Sequence, residues 1–582
     1  MIRVACAWPF LKKLTKLASV MNLFELRDSR RLTGPNVIWG KAGPVVDLAL
    51  ADADADAVEQ AWKSKLMPLL DGLGWGAETT ASRRFPGGLS LAFSAPMDAL
   101  YTACEINEWA LPDQQLTENE PDREVALTAA IARFNAALRK EGNPPLVRIQ
   151  HSANRAGSLF LTCDDVVSVG AGRWSESWQV KELPEAGSID MAAHERIPIA
   201  MITGTNGKTT TVRLLKAMVD AQGKVPGLSS TDWLMVGNEV IDHGDWSGPG
   251  GARAILRNPN VDVALLETAR GGMLRRGLAL AAGEADVVLI NNIAADHLGE
   301  WGVQDLDMLA DTKFVIRHAG RHIVLNADDE KSVERVHLIQ QPLTWFSLNH
   351  HSDLIQNHIA NGGQAATLDG GFLTWTASHE TTKLIPVSEI PITFGGAAQH
   401  NVANALAAIC VAKELGLRDE SILSGLQSFQ SNLKDNPGRL NRFQVRDFTV
   451  LVDFAHNAHG LSALMQMTAA MPANRRLVTL GHAGDRNDDA LVELAQAAAA
   501  GGVDRVIIKE QPNELRGRQP GEIPAILEGA LIEAGFPAEQ IAHAANEMEA
   551  TQSALDWAES GDLLLLLTLD SRKEVLGLLQ KA

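Results

Sequence analysis

Short apolar runs that end in polar residues recur along the second half of this chain. Residues 197–202 hold five apolar side chains and read as a buried strand, after which a helical pattern opens near Thr210 and runs to about Gln222. The same form returns at 261–267, 285–293 and 321–329, with a helix at 303–318 between the last two. Strand and helix in succession predict right-handed crossovers and a mainly parallel sheet. A second series alternates cleanly: strands at 449–454, 476–480, 505–509 and 562–567, and helices at 460–471, 488–500, 522–535 and 546–559. That is the pattern of a second doubly wound unit. Between the two lie short strands over 340–396, a helix at 400–415 and a hinge at 427–444.

The first 140 or so residues read as a smaller α+β module, with a strand at 23–27, a turn at Thr33-Gly-Pro-Asn36 and helices at 57–73, 98–111 and 121–141. Short strands are expected at 146–153, 157–163, 166–172 and 175–180, followed by a linker over 182–195. The domain limits expected are 1–145, 146–194, 195–432 and 433–582.

Composition narrows the functional classes. With 46% hydrophobic and 21% charged residues in 582, the chain is globular and large enough for several cores. A formal charge of −19 argues against nucleic acid as a partner, because nothing supplies the basic surface that polyanion binding needs. Cys6, Cys104, Cys163 and Cys410 are scattered singly, as expected of reduced residues in a cytoplasmic protein. Lys12, Lys13 and Lys16 interrupt the apolar start, so neither a signal segment nor a membrane span is expected there.

The chemistry gathers at strand ends. Gly204-Thr205-Asn206-Gly207-Lys208-Thr209-Thr210 joins a strand to a helix in the manner of a phosphate-binding loop. Its glycines allow close backbone approach to an anion, Lys208 adds a cation, and the Thr209 hydroxyl suits Mg²⁺. Only two residues separate the glycines where the general P-loop has four, and an ordinary Gly/Thr turn is the plain alternative. Glu267 ends a neighbouring strand, as a metal ligand, a water-orienting acid or a solvent-facing carboxylate. His297 follows Asp296 after the next strand, and by chemistry it reads as a hydrogen-bonding residue, since Mg²⁺ favours oxygen. Lys313 on spacing alone is a surface lysine. In the last unit Asp453, His456 and Asn457, then Gly484, Asp485 and Arg486, then Glu510, Arg516 and Arg518 lie where such sheets bind ligands.

Taken in order, GTNGKTTT, LLETARGG, NNIAADHLG, HNVANALAA, NPGR and VDFAHN resemble the Mur ligase family. The run from Ser230 to Ala279 and KEQPNELRGR are similar to the cyanophycin synthetase branch of it. The resemblance implies an α/β protein: a central P-loop ATPase domain and a C-terminal Rossmann-like domain, preceded by a smaller α+β domain. That branch also carries an ATP-grasp domain after its N-terminal part, for which this chain has almost no room. A bacterial, cytoplasmic, ATP- and Mg²⁺-dependent ligase is implied, joining a carboxylate acceptor, peptide or small molecule, to an amino-acid donor, with a homo-oligomer expected.

Carried onto matching positions, the resemblance makes Glu267 and His297 metal ligands with Thr209. It makes Lys313 the family's carbamylatable lysine, and Asn401, Arg439 and Asp453 nucleotide-gripping residues. Arg270, His456, Asp485 and Arg516 would face the acceptor or the amine. Phe454 for the usual Tyr, Ala458 for Pro, and Thr568-Leu-Asp570 in place of an acidic ending bear on substrate choice. Two other readings stay open: a noncatalytic nucleotide-binding partner of a full-length cyanophycin synthetase, and a stand-alone ligase of unrelated small substrates.

Overall fold

The computed structural model describes residues 24–50, 54–112 and 123–581. The expectation for the apolar start of the chain lies outside these residues. Contacts divide the chain into two units, one of Met1–Arg30, Pro44–Ala95 and Tyr101–Lys140, the other of Arg31–Gly43, Pro96–Leu100 and Glu141–Ala582.

In the smaller unit a four-stranded sheet runs in the order Phe24–Leu32, Gly43–Leu50, Gly88–Phe93, Thr80–Phe85. Helix Ala55–Gly72 starts where the Asp54 carboxylate accepts from the Asp56 amide. Its buried Trp62 donates to Asn107 Oδ1 at 2.9 Å, and Asn107 donates in turn to the Leu91 carbonyl at 3.0 Å. Helix, sheet and a third element are thereby tied through one satisfied polar pair.

The larger unit is built on an eleven-stranded sheet whose centre reads Pro226–Ser229, Val263–Glu267, Ile199–Thr203, Ala285–Ile290, Gly320–Asn326, Leu343–Ser347, all parallel. Alternate residues of each strand enter opposite cores. Ala200, Ile202, Val263, Leu265, Val287 and Leu289 pack on one face with helices Lys208–Ala221 and Gln399–Glu414. Ile199, Met201, Ala264, Leu266, Val288 and Ile290 pack on the other. This period of two on both faces is why these strands read as unbroken apolar runs. Strand order reverses around Ile199–Thr203, so loops leaving its carboxyl end and those of its neighbours converge on one crevice.

A six-stranded sheet follows in the order Asn441–Val445, Phe448–Asp453, Leu563–Leu567, Arg476–Leu480, Arg505–Lys509, Ile541–Ala544, parallel except for its first strand. Strands Asn441–Val445 and Ile541–Ala544 and helix Arg572–Leu579 were not anticipated, because each is short. Two expectations are overturned: the short strands over 340–396 are interrupted by helix Asp353–Ala360, and 146–153 is helical, within Pro144–Ala156. Asn143 caps it, proline opens it, Gly157 in the left-handed conformation ends it, and Leu146, Ile149 and Ala153 form its buried face. The three strands Phe160–Thr162, Val166–Val169 and Glu176–Gln179 do form an antiparallel sheet. Among the described residues no helix is long and apolar enough to cross a membrane.

Candidate active site

The glycine loop leaves the middle strand at Thr203 and, with helix Lys208–Ala221, lines a cleft of about 1100 Å³. Gly207 caps the helix at φ 84°, and a Cβ there would lie 2.2 Å from Asn404 Oδ1 and 2.3 Å from Asn291 Nδ2. The helix therefore begins at Lys208, two residues before the position expected. Its first-turn amides have no intrahelical partners, a geometry suited to an anion.

A ladder of amides fixes the loop from behind. Asn291 Nδ2 donates to the Asn206 carbonyl at 3.1 Å and to Asn404 Oδ1 at 2.9 Å, and Asn404 donates to Asn401 Oδ1 at 3.1 Å. Asn401 Nδ2 donates to the Ile392 carbonyl at 2.8 Å, so both ends of its amide are engaged within the protein. Asn292 holds both backbone groups of Asn206, at 2.9 and 3.0 Å. The Thr205 hydroxyl exchanges hydrogen bonds with Ala294. Asn291 and Asn292 were missed in the sequence, although a pair of asparagines closing an apolar strand was a readable signal.

Two lysines share one carbonyl. Lys208 Nζ donates to Gly204 O and Thr205 O at 3.0 Å each, and Lys313 Nζ donates to Gly204 O at 2.9 Å. Lys313 is 4% exposed, which corrects its reading as a surface lysine. Burial, helped by the Lys208 charge, pushes its pKa down to about 7. Thr210, next to Thr209, is buried in the same turn.

Thr209 Oγ1 donates to Glu267 Oε2 at 3.0 Å and lies 3.3 Å from the Thr231 hydroxyl. Glu267 is 1% exposed, so it does not face solvent, and burial pushes its pKa up against the opposing pull of Lys208 and Thr209. Its other oxygen, Oε1, is buried without a hydrogen-bond partner. A hydroxyl beside an unpartnered buried carboxylate oxygen is a donor set suited to Mg²⁺.

His297 sits at φ 54° with Nδ1 2.8 Å from Glu300 Oε1 and Nε2 2.7 Å from Arg486 Nη2. A guanidinium only donates, so Nε2 accepts and Nδ1 carries the proton. A metal-binding role would require Arg486 to release Nε2. Arg270 supports this corner, donating to the His297 carbonyl at 2.6 Å and to Glu300 Oε2 at 2.8 Å. Asp296 lies beside it, 3.6 Å from His456 Nε2 and 3.6 Å from Arg486 Nη2. Burial alone would raise the Asp296 pKa; the neighbouring His456 and the Arg486 charge oppose it and hold the carboxyl well below its ordinary range.

The second sheet supplies the opposite wall. Asn206 and Asn457 exchange amide hydrogen bonds at 3.2 and 3.1 Å. Asp453 accepts from the Leu440 and Ala455 amides at 2.8 Å each, and burial pushes its pKa up. The Arg439 guanidinium stacks 4.5 Å from the centre of the Phe454 ring. Asp485 pairs with Arg516 and Arg486. Behind Arg439 is a cluster the sequence did not reveal: Asp232 meets Arg213 at 2.5 Å, Arg572 at 2.8 Å and Arg439 at 3.8 Å.

Residues 202–412 match the Mur ligase middle domain, and residues 438–568 match the glutamate ligase domain of the Mur ligases. The chain belongs to the Mur ligase family. Members of this family are ATP-dependent ligases that form C–N bonds. Among curated relatives, cyanophycin synthetase of Trichormus variabilis is 36% identical over 375 residues, covering 64% of this chain and 41% of that protein. The chain thus spans less than half the length of that relative. The UDP-N-acetylmuramoyl-L-alanyl-D-glutamate–2,6-diaminopimelate ligase of Listeria monocytogenes is 23% identical over 400 residues, covering 64% of this chain and 73% of that one. Among solved structures, MurF from Acinetobacter baumannii aligns at 18% identity and a TM-score of 0.48 over 66% of this chain and 77% of that one.

Proposed function

We propose that this Mur ligase joins an aspartate-type carboxylate to an amino acid such as arginine, using ATP and passing through an acyl phosphate. The observation that carries the reading is the grouping of Lys208, Thr209 and the buried, half-unpartnered Glu267 on one glycine loop. An acceptor carboxylate oxygen attacks the γ-phosphorus as the bond to the ADP oxygen breaks. The amine then attacks the acyl carbon, phosphate leaves, and the amine's proton passes to solvent or phosphate.

Lys208 offsets charge on the transferring phosphoryl group, acting through position and electrostatics. Thr209 and Glu267 would hold Mg²⁺, which supplies further neutralisation of phosphate charge. Asn401, through the amide ladder, and Arg439 and Asp453, across the cleft, keep the nucleotide in place. Arg270, His456, Asp485 and Arg516 form the acceptor and amine side. Lys313 has a pKa of about 7, so it is substantially neutral at physiological pH, the form that takes up CO₂ to become a carbamate. Lys208→Ala removes the mobile cation and is expected to lower turnover at least about 1000-fold. Full activity of that variant in an ADP-release assay would refute the assignment.

A further inference from the structure

Residues Arg31–Gly43 precede most of the smaller unit in sequence, yet by their contacts they belong to the larger one. The contact is backbone against backbone. Thr33 N donates to Arg276 O at 2.8 Å, and Leu278 N donates to Pro35 O at 2.7 Å. No side chain fits between the two strands of chain. A Cβ on Gly34 would lie 2.4 Å from Leu278 O, and one on Gly277, at φ 80°, would lie 2.6 Å from Gly34 O. Arg253 Nη2 donates to Thr33 Oγ1 at 2.8 Å, and Val37 packs into the core that holds Leu274 and Leu278.

The loop is itself rigid. Asn36, buried, donates from Nδ2 to Gly34 O and Lys41 O at 3.0 Å each, and its Oδ1 accepts from the amides of Ile38 and Trp39 at 2.9 and 3.1 Å. Its side chain is saturated by its own loop.

What the loop holds is the end of a six-residue helix, Arg270–Arg275, too short to be stable by itself. Arg275 and Arg276 follow the buried Met273 and Leu274, line the cleft and are exposed. Among the described residues no carboxylate pairs with either. Arg275 lies 5.0 Å from the ring centre of Trp301, which lines the same rim. On a chain of net charge −19, two exposed guanidiniums that line a cleft with no carboxylate partner among the described residues are a local exception.

We infer that the Thr33–Trp39 loop is a positioning element of the ligase body: by clamping the Arg276 carbonyl and Leu278 amide it fixes Arg275 and Arg276 where they meet acceptor carboxylates other than the reacting one. The inference rests on the proposed carboxylate–amine ligation. Thr33, Gly34 and Asn36 act through Arg275 and Arg276 and touch no reactant.

The test uses the full chain and three variants: Gly34→Ala, which drives a methyl into Leu278 O; Thr33→Val, which removes the hydroxyl bonded by Arg253; and Gly40→Ala, whose Cβ meets nothing within 4 Å. Hydrogen exchange read by mass spectrometry should rise about tenfold or more for the peptide containing Leu278 in Gly34→Ala, less in Thr33→Val, and not at all in Gly40→Ala. Poly-aspartate binding, followed by fluorescence anisotropy, should weaken about three- to tenfold in the same order, and charge reversal at Arg275 and Arg276 should weaken it further. ATP affinity should hold in all of them. Unchanged exchange and unchanged poly-aspartate binding in Gly34→Ala, or no poly-aspartate binding by the parent chain, would overturn the inference. Loss of the ligase reading would instead appear as ATP consumption that no acceptor stimulates, with the exchange result intact. Should Gly34→Ala fail to fold, Thr33→Val decides by the same readouts.

Discussion

Gly207→Ala isolates the geometry on which the nucleotide site depends. Two costs add. An alanine at φ 84° enters the left-handed region, at about 1 kcal/mol. Its methyl must also displace Asn404 Oδ1 and Asn291 Nδ2, which lie 2.2 and 2.3 Å from the ideal Cβ and are bonded to each other at 2.9 Å. Separating them breaks that bond and strains the one from Asn291 to the Asn206 carbonyl, leaving buried amide groups unmet at about 1–3 kcal/mol. The loop can escape only by giving up the conformation proposed to bind phosphate, so the sum of about 2–4 kcal/mol appears in nucleotide affinity, a loss of about 30- to 1000-fold. Gly223→Ala is the matched control. Gly223 sits at the other end of the same helix at φ 74° with nothing within 4 Å of its Cβ, so only the backbone cost of about 1 kcal/mol applies. Calorimetric titration with a nonhydrolysable ATP analogue, beside urea unfolding, separates the two. ATP affinity of Gly207→Ala within about threefold of the parent would refute the argument that the amide ladder and the left-handed cap dictate the loop.

Further outcomes follow from the buried charges. Asp232→Asn leaves Arg213, 2% exposed, without its counter-charge, and should cost about 3–5 kcal/mol in urea unfolding; a loss below about 1 kcal/mol would contradict the role given to the cluster. Lys313 gives a pH signature. Its folded pKa of about 7 lies below the ordinary 10.5, so between those values the unfolded chain binds more protons and stability from this group rises with pH. Below about pH 7 the folded state bears the full cost. The stability difference between the parent and Lys313→Met should therefore shift in the parent's favour by up to about 1.4 kcal/mol per pH unit across that window, and a flat difference would refute the burial argument.

The parallel sheets were legible because apolar runs of five or so residues closed by polar ones leave few alternatives. The P-loop, Glu267 and the second sheet's strand ends could be placed from sequence for the same reason. Residues 146–153 misled because Leu146, Val147, Ile149 and Ala153 satisfy a strand as well as a helix over so short a window, and Asn143 with its prolines was the signal that decided it. The burial of Lys313, which only the resemblance singled out, could not be read from its own window: nothing local distinguishes a lysine buried beneath a carbonyl 109 residues away from a solvated one. The Asp232 cluster joins Arg213, Arg439 and Arg572, far apart in the chain, so only tertiary structure assembles it. The amide of Asn401 shows the converse: the resemblance placed it by the nucleotide, and its bonds run into the ladder that shapes the loop.

Phosphorylation of the acceptor carboxylate on this loop before the amine arrives, as proposed, would leave an isotopic trace. Acceptors labelled with oxygen-18 in the carboxylate, beginning with β-Asp-Arg oligomers and poly-aspartate, are incubated with Mg-ATP and arginine, and the phosphate and product are weighed by mass spectrometry. Passage through an acyl phosphate requires one label transferred to phosphate for each amide formed, with ADP as co-product, and no transfer in Lys208→Ala. Amide formation with unlabelled phosphate, or with AMP and pyrophosphate, would contradict it.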